Sequence, residues 1–180
     1  MAADRKRLFF GIWPDSATRR ALEKSTRAAV RASGGKPVPG ESLHLTLAFL
    51  HSVDIGLLEG IRRAAASLDA APVELILDRI GHWPRSRILW IAPSRPPRVL
   101  PELVARLWRK LEPCGFAPEE RAWIPHVTLA RRASKPGQVG PVPPLTWRLD
   151  SFSLAESITS GSRSVYRILD TWPFNARYSG

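Results

Sequence analysis

A short polar motif occurs twice in this chain, and it constrains the fold more than any other feature of the sequence. The two copies are His44-Leu45-Thr46-Leu47-Ala48-Phe49 and His126-Val127-Thr128-Leu129-Ala130-Arg131. Side chains two positions apart on a β-strand share a face. Each copy therefore predicts a strand with histidine and threonine on one face and apolar residues on the other. Two strands with the same polar pair indicate two halves of one site.

The order of predicted elements repeats together with the motif. Apolar runs bounded by proline or turn residues predict strands at 8–13, 43–50, 87–92 and 126–131. A helix capped by Asp15 or Ser16 and ending at Arg31 lies between the first two strands, and a helix at 99–111 lies between the last two. Each half thus contains strand, helix and His-x-Thr strand, which indicates an internal duplication.

The remaining predicted elements lie outside this repeat. They are a turn at 51–54, a helix at 55–68, strands at 73–80, 145–154 and 165–172, loops at 81–86 and 135–144, and a turn at 160–162. Alternating strands and helices over this length predict an α+β protein. No linker divides the chain, so we expect residues 1–180 to form one bilobal domain, with two pseudo-symmetric lobes facing each other across a central cleft.

The charge of the chain indicates the kind of partner. Its 180 residues carry a formal net charge of +11, and most of the cations are arginines. Arginine favours bidentate recognition of phosphate. A basic surface predicts a polyanionic partner, nucleic acid first and an anionic membrane second. The alternative is that an arginine-rich composition runs through the whole source proteome.

Cysteine content and apolar run lengths indicate the compartment. The single cysteine, Cys114, excludes an intrachain disulfide and a cysteine-based zinc site, and it fits a reducing environment. The apolar run at 8–13 is too short for a signal-peptide core, and no stretch approaches the roughly 20 apolar residues of a membrane span. We therefore expect a soluble cytoplasmic protein with no membrane segment. For the oligomeric state, a monomer is the default expectation.

The paired motif predicts acid–base chemistry on a phosphate. Two histidines that titrate near pH 7 can act as general base and general acid. Threonine hydroxyls can donate hydrogen bonds to the non-bridging oxygens of a phosphate, where charge builds up in the transition state. Arg131 is the nearest cation, but strict strand alternation predicts it on the leucine face and Arg132 on the histidine face.

Other interpretations of these residues are weaker. A single His-x-Thr in a strand is most often a packed or surface polar pair, and only the matched duplication favours a shared site. Two histidines could ligate zinc, but a third ligand is usually needed. His51 and His82 have no motif context and are predicted to be surface or loop residues. We therefore predict no metal site.

The ordered set of residues resembles a known family. Paired His-x-Thr motifs are the hallmark of the 2H phosphoesterase superfamily, and the match narrows to the bacterial and archaeal RNA 2',3'-cyclic phosphodiesterases, also called 2'-5' RNA ligases. The resemblance covers nearly the whole chain. Besides the motifs, it includes residues 7–12, Glu41-Ser42, Gly81-His82-Trp83-Pro84, Leu89-Trp90, Glu119, Arg121, Pro125, Leu154-Ala155-Glu156-Ser157, Gly161 and Tyr166.

This resemblance implies a fold and an activity. The fold has two lobes of mostly antiparallel sheet with outer helices. The activity is opening of a 2',3'-cyclic phosphate at an RNA or oligonucleotide end to a 2'-phosphomonoester, without metal or other cofactor, and some relatives also join or cleave 2'-5' linkages. The resemblance implies that His44 is the acid toward the 3' oxygen and that His126 is the base for water. The substrate-binding residues implied are Thr46, Thr128, Arg131 and Tyr166.

The chain departs from the family pattern at three places outside the His/Thr pairs. His51 replaces a usual glycine, Lys36-Pro37-Val38-Pro39 replaces a usual aromatic residue, and Trp123 replaces a usual phenylalanine. These changes bear on the base-stacking surface and the RNA preference. Two alternatives stay open: a basic RNA-binding protein that has lost turnover, and a related 2H enzyme that acts on another cyclic nucleotide or on 3'-terminal uridines.

Overall fold

A computed structural model describes residues 4–137, 139–160 and 163–175. The strands are β1 (Arg5–Ile12), β2 (Lys36–Pro37), β3 (Leu45–Asp54), β4 (Val73–Trp83), β5 (Ile88–Ala92), β6 (Val127–Arg131), β7 (Gly140–Leu149), β8 (Ser151–Ser160) and β9 (Arg163–Pro173). The α-helices are α1 (Ser16–Ala32), α2 (Leu58–Ala66) and α3 (Val99–Leu111). The predicted α+β class is confirmed.

All the strands belong to one antiparallel sheet. Its order is β7-β4-β5-β6-β3-β1-β8-β9, with the short β2 pairing to β6. The two motif strands, β3 and β6, meet at its centre through the pairing of Leu45 with Val127. We call β3, β1, β8 and β9 the first lobe, and β6, β5, β4 and β7 the second lobe. The junction between the lobes therefore lies where the two motifs begin.

The helices cross between the lobes. Helix α1 follows β1 of the first lobe but packs against β6 and β7 of the second. Helix α3 follows β5 of the second lobe but packs against β3 of the first, and α2 packs against α3 and β9. Each half of the internal duplication therefore contributes to both lobes, which ties them together.

Local sequence explains where the helices begin. Asp15 caps α1, since its carboxylate accepts a 2.7 Å hydrogen bond from the backbone N–H of Thr18, and this bond lowers the pKa of the Asp15 carboxyl. The predicted helices 15–31 and 99–111 are confirmed. Helix α2 begins later than predicted because residues Ile55–Leu57 form a separate 3-10 turn, which Asp54 caps through Gly56.

Four sequence-based boundaries were wrong, each because strand pairing extends or divides a segment. The predicted turn at 51–54 is the end of β3, which pairs with Arg5–Leu8. The predicted loop at 81–86 begins as the end of β4, which pairs with β5, and the loop at 135–144 ends as β7. The predicted strand 145–154 is divided at Asp150, because β7 pairs with β4 while β8 pairs with β1. The predicted turn at 160–162 lies mostly outside the described residues.

The apolar faces of the motif strands form the centre of the core. Leu45, Leu47, Val127 and Leu129 are all buried, as strand alternation predicts. Burial of apolar surface is the main favourable term in folding, so these side chains anchor each motif while its polar residues remain outside the core.

No helix within the described residues has the length and apolar character that a membrane crossing needs.

Candidate active site

The two motif histidines lie next to each other at the junction of the lobes. His44 immediately precedes β3 and His126 immediately precedes β6. The residues that follow them, Leu45 and Val127, are direct partners across the sheet. The charge of His126 also contributes to lowering the pKa of His44. The structure therefore brings together the two copies of the motif, as the duplication predicts.

Matching hydrogen bonds fix both imidazole rings. Nδ1 of His44 donates to the carbonyl of Ser42 at 2.7 Å, and Nδ1 of His126 donates to the carbonyl of Ile124 at 2.8 Å. In each case the acceptor lies two residues before the histidine. Because a carbonyl can only accept, Nδ1 carries the proton and Nε2 of the neutral ring is left with its lone pair.

Aromatic side chains hold the histidine rings in place. The indole of Trp13 stacks on His44 with ring centroids 5.0 Å apart and an interplanar angle of 21°. Phe9 lies 5.1 Å and Tyr166 4.9 Å from the same ring. His126 meets the edge of the Trp83 indole at 4.6 Å. Each imidazole therefore lies in a largely apolar environment.

This environment keeps both imidazoles neutral. Burial lowers the pKa of His44 to about 4; the Ser42 carbonyl opposes the shift, and the positive charges of Arg131 and His126 add to it. Burial also lowers the pKa of His126, helped by the nearby Arg121 and Arg131 and opposed by the Ile124 carbonyl. Desolvation disfavours the charged imidazolium, so in the free protein each Nε2 is a proton acceptor at neutral pH.

The motif threonines are half-buried and lie two positions after the histidines. The backbone of Thr46 also links the two motifs, because the indole N–H of Trp123 donates to the Thr46 carbonyl at 3.0 Å. Trp123 belongs to the segment that leads into the second motif. Its hydrogen bond therefore fixes the approach to His126 against the strand that follows His44.

A β-bulge brings Arg131 to the histidine side of the sheet. In the pairing of β6 with β5, Ala130 is opposite Leu89 and Thr128 is opposite Trp90, so Leu129 is an extra residue. Leu129 and Ala130 are both buried, and Arg131 is exposed. Strict alternation, which placed Arg131 on the leucine face, was therefore wrong, because a bulge reverses the alternation.

Arg131 contacts the histidine site through Tyr166. Its guanidinium donates to the Tyr166 hydroxyl over 3.5 Å, and the Tyr166 ring lies against His44. Arg131 also lowers the pKa of both histidines. All six residues named from the sequence therefore lie in one neighbourhood: His44, Thr46, His126, Thr128, Arg131 and Tyr166.

The first motif contains the same bulge. Ala48 is opposite Phe10 and Thr46 is opposite Gly11, which leaves Leu47 as the extra residue. Phe49 therefore occupies the position that Arg131 occupies in the second motif. It is 43% exposed, and its ring centroid lies 5.4 Å from that of Phe9. The two lobes thus offer an aromatic ring and a guanidinium at equivalent positions.

Apart from Tyr166, sequence reasoning did not assign the aromatic residues around the histidines to the site. Trp13 closes the first strand, and Trp83 was predicted to lie in a loop although it ends β4. Trp13 and Trp83 lie far from the motifs in sequence, so no local signal linked them to the site, whereas Trp123 lies just before the second motif. His51 and His82 lie apart from His44 and His126, near Glu119 and the Ala133 carbonyl respectively. Within the described residues, no three His, Cys, Asp or Glu side chains group together as a metal site would require.

Comparison with known proteins agrees with this geometry. The family model of the 2'-5' RNA ligase superfamily matches residues 13–160. The RNA 2',3'-cyclic phosphodiesterase of Escherichia coli (strain K12) is 31% identical over 169 residues, covering 93% of this chain and 96% of that protein. The RNA 2',3'-cyclic phosphodiesterase of Thermus thermophilus is 28% identical over 185 residues, covering 96% and 92% of the two chains.

A solved structure supports the same relationship. The crystal structure of E. coli LigT complexed with 3'-AMP matches with a TM-score of 0.86 and 30% sequence identity, covering 95% of this chain and 99% of that one. The resemblance drawn from the paired motifs is therefore confirmed.

Proposed function

Because the chain belongs to the 2'-5' RNA ligase superfamily, we propose that it hydrolyses RNA 2',3'-cyclic phosphate ends to 2'-phosphomonoesters. Two relatives carry the name RNA 2',3'-cyclic phosphodiesterase over more than nine-tenths of this chain. The observation that carries the proposal is the matched pair of Nδ1–carbonyl hydrogen bonds, which leave the Nε2 atoms of His44 and His126 free at one junction.

The proposed reaction is an in-line displacement at phosphorus. Nε2 of His126 removes a proton from water, and the water oxygen attacks the phosphorus atom of the cyclic phosphate. The bond from phosphorus to the 3' oxygen breaks, and Nε2–H of His44 donates a proton to that oxygen. The product is a 2'-phosphate beside a 3'-hydroxyl, with one proton gained by His126 and one lost by His44. General acid and base steps of this kind each contribute about a hundredfold to ten-thousandfold.

The acid must carry its proton before the reaction begins. His44 is neutral at pH 7 in the free protein, because its pKa lies at about 4. A cyclic phosphate brings a negative charge next to Arg131 and the two histidines, and this charge favours the imidazolium form. We therefore expect substrate binding to be coupled to uptake of one proton.

The remaining residues would hold the phosphate. The Thr46 and Thr128 hydroxyls can donate to its non-bridging oxygens, and Arg131 supplies a charge-assisted donor that Tyr166 orients. Such fixed donors stabilise the charge that builds up in the transition state. None of these steps uses a metal ion, so the proposed activity is independent of divalent cations.

The same site would also catalyse a transesterification in which an RNA hydroxyl replaces water as the nucleophile. If the 5'-hydroxyl of a second RNA takes the place of water, its oxygen attacks the phosphorus and forms a 2'-5' phosphodiester. The reverse of that step cleaves a 2'-5' linkage. The family name and the equivalent roles of the two histidines support this extension.

Product analysis tests the proposal. A defined oligonucleotide with a 2',3'-cyclic end is incubated with the protein in the presence of EDTA, and the product is identified as a 2'- or 3'-phosphate. We expect a 2'-phosphate and no effect of the chelator. Loss of activity on chelation, or salt-dependent RNA binding without ring opening, would contradict the proposal; the second result would favour a binding protein that has lost turnover.

A further inference from the structure

Four arginines lie together at one end of the second lobe. Arg85 and Arg87 are in the turn between β4 and β5, and Arg131 and Arg132 are at the end of β6. All four are exposed, and in the part of the chain that the structure describes none of them pairs with a carboxylate. We call these four residues the arginine ridge.

The arginine ridge lies next to the candidate active site, because the residues that flank the β4–β5 turn are part of that site or are paired with it. Trp83, the last residue of β4, contacts the His126 ring. Ile88, the first residue of β5, is paired with Trp83 on one side and with Arg131 on the other. Trp83, Ile88 and Arg131 are neighbours across three strands, beside His126. The turn that contains Arg85 and Arg87 connects Trp83 to Ile88, so these two arginines lie next to the candidate active site.

Two ridge residues adopt a backbone conformation that arginine rarely takes. Arg87 has φ of 55° and Arg132 has φ of 58°, both in the left-handed region. They face each other across the end of the β5–β6 pair, where the N–H of Ala133 donates to the Arg87 carbonyl at 2.9 Å. The Arg87 guanidinium makes one long contact there, of 3.4 Å to the Arg132 carbonyl. Glycine or asparagine would take this conformation with less strain, so the fold alone does not explain two arginines at these positions.

The described cations of the first lobe are arranged differently from those of the ridge. Phe49 replaces Arg131 there, and Lys6 and Arg167 are both paired with Glu156. Arg5 donates to Ser52, and Arg7 is exposed without a carboxylate partner among the described residues. Among the described residues, the second lobe therefore presents more arginines without a carboxylate partner beside the site than the first lobe does. A chain of phosphates that leaves the site would be attracted to that side.

We propose that three ridge residues, Arg85, Arg87 and Arg132, bind the phosphodiester groups that precede the cyclic end, while Arg131 contacts the cyclic phosphate itself. The substrate is then an RNA chain of several nucleotides, and the chain leaves over the second lobe. Arg87 and Arg132 contact the backbone and not the bases. This inference rests on the proposed function for the position of the cyclic end. Planar guanidinium groups suit phosphate oxygens, and exposed arginines without ion-pair partners are available to bind them.

The test compares two substrates. For wild type, kcat/KM is measured on a nucleoside 2',3'-cyclic phosphate and on a pentaribonucleotide with the same terminal nucleotide and a cyclic end, over a range of salt concentrations. We expect the pentaribonucleotide to be favoured, with a steeper salt dependence. The double variant Arg87→Gln/Arg132→Gln should lose most of this preference and flatten the salt slope by about 1.4, since each contact to a single strand contributes about 0.7. Its rate on the mononucleotide should stay within about twofold of wild type.

Two further variants separate binding from folding. Arg87→Asn/Arg132→Asn places residues that tolerate the left-handed region at both sites, so its melting temperature should equal or exceed that of wild type while the pentaribonucleotide preference is lost. Arg27→Gln/Arg109→Gln removes the same charge from exposed positions on α1 and α3 and should keep the preference. If this control loses the pentaribonucleotide preference to the same extent, the preference depends only on the net charge of the protein. That result would contradict a specific role of the arginine ridge.

Binding measurements keep the ridge testable if the proposed activity fails. Fluorescence polarisation of a labelled pentaribonucleotide ending in a phosphate reports binding without turnover. Weaker binding of Arg87→Gln/Arg132→Gln, with unchanged binding of the control, supports the ridge even if no cyclic phosphate is opened. Equal wild-type kcat/KM on the two substrates, or equal binding of wild type and ridge variant, would overturn the inference while leaving the cyclic phosphodiesterase proposal intact.

Discussion

Trp123 and Thr46 come from different copies of the motif region and are joined by one hydrogen bond. The Trp123 indole N–H donates to the Thr46 carbonyl at 3.0 Å. We expect Trp123→Phe to destabilise the protein by about 1 kcal/mol, because the carbonyl loses its donor, and to lower kcat/KM because the approach to His126 is less fixed. Urea unfolding and kinetics measure both effects. A variant with normal stability and normal activity would show that the bond has no role.

Replacing either histidine with asparagine should remove catalysis and leave the fold intact. The asparagine amide can still donate to the carbonyl of Ser42 or Ile124, but it has no group in the place of Nε2. We expect kcat on a nucleoside cyclic phosphate to fall about a hundredfold to ten-thousandfold for His44→Asn and for His126→Asn. The matched control is His51→Asn, since His51 is exposed, has a left-handed backbone that asparagine tolerates, and lies outside the pair. Full activity in both His44→Asn and His126→Asn would exclude the proposed mechanism.

The lowered pKa of His44 makes stability depend on pH in a defined window. The unfolded chain binds a proton near pH 6.5, whereas folded His44 does so only near pH 4. Its contribution to stability is therefore complete above about pH 6.5 and is lost as the pH falls toward 4. We expect the free energy of unfolding to decrease by about 2 kcal/mol from pH 7 to pH 5 on account of this group. Urea titrations at both pH values should show a smaller decrease in His44→Asn, and an unchanged decrease would contradict the assignment.

Arg131 and Arg132 should have different effects on the site even though they are neighbours in sequence. Removing the positive charge in Arg131→Gln should raise the pKa of both histidines, which NMR titration can follow. It should also lower kcat/KM on a nucleoside cyclic phosphate about a hundredfold to a thousandfold, because a donor to the transition state is lost. Arg132→Gln is the matched control and should leave that rate within about twofold. The opposite pattern would indicate that the strand keeps strict alternation and that Arg132 faces the histidines.

Gly81 leaves room for the Trp90 indole on the neighbouring strand. A Cβ at Gly81 would lie 2.1 Å from Cζ2 of Trp90, and Trp90 in turn packs against Trp83 beside His126. We expect Gly81→Ala to destabilise the protein by about 1–3 kcal/mol through overpacking and to reduce activity through the displaced Trp83. Thermal unfolding and steady-state kinetics measure this. Gly60→Ala in α2 is the control, and equal effects of the two substitutions would argue against a specific clash.

Most of the secondary structure could be predicted from the sequence, because apolar spacing and helix caps depend on residues that are close together in the chain. The apolar spacing of residues 99–111 matches α3 at both ends, and Asp15 marks the start of α1 through its own cap. The division of residues 145–154 into two strands at Asp150 could not be predicted from the sequence. The alternation of apolar and polar residues continues on both sides of Asp150, whereas the partner strand changes from β4 to β1. That change is a tertiary event with no local signal.

The candidate site was predictable only in part, for a similar reason. The duplication identified His44 and His126, since two identical polar pairs on predicted strands imply a shared site. The position of Arg131 was not predictable, because a bulge depends on the register with a neighbouring strand. The packing of Trp13 on His44 and of Trp83 on His126 was also not predictable, because it depends on contacts between segments that are distant in sequence.

The paired bulges at Leu47 and Leu129 have a consequence for how such a protein can change over time. Each bulge lets two consecutive residues fill the core, so the side chain of the sixth residue of the motif lies outside the core and is exposed. That position holds Phe49 in one copy and Arg131 in the other. After a duplication, selection could therefore tune the two positions independently for ligand chemistry while both copies kept the same packing.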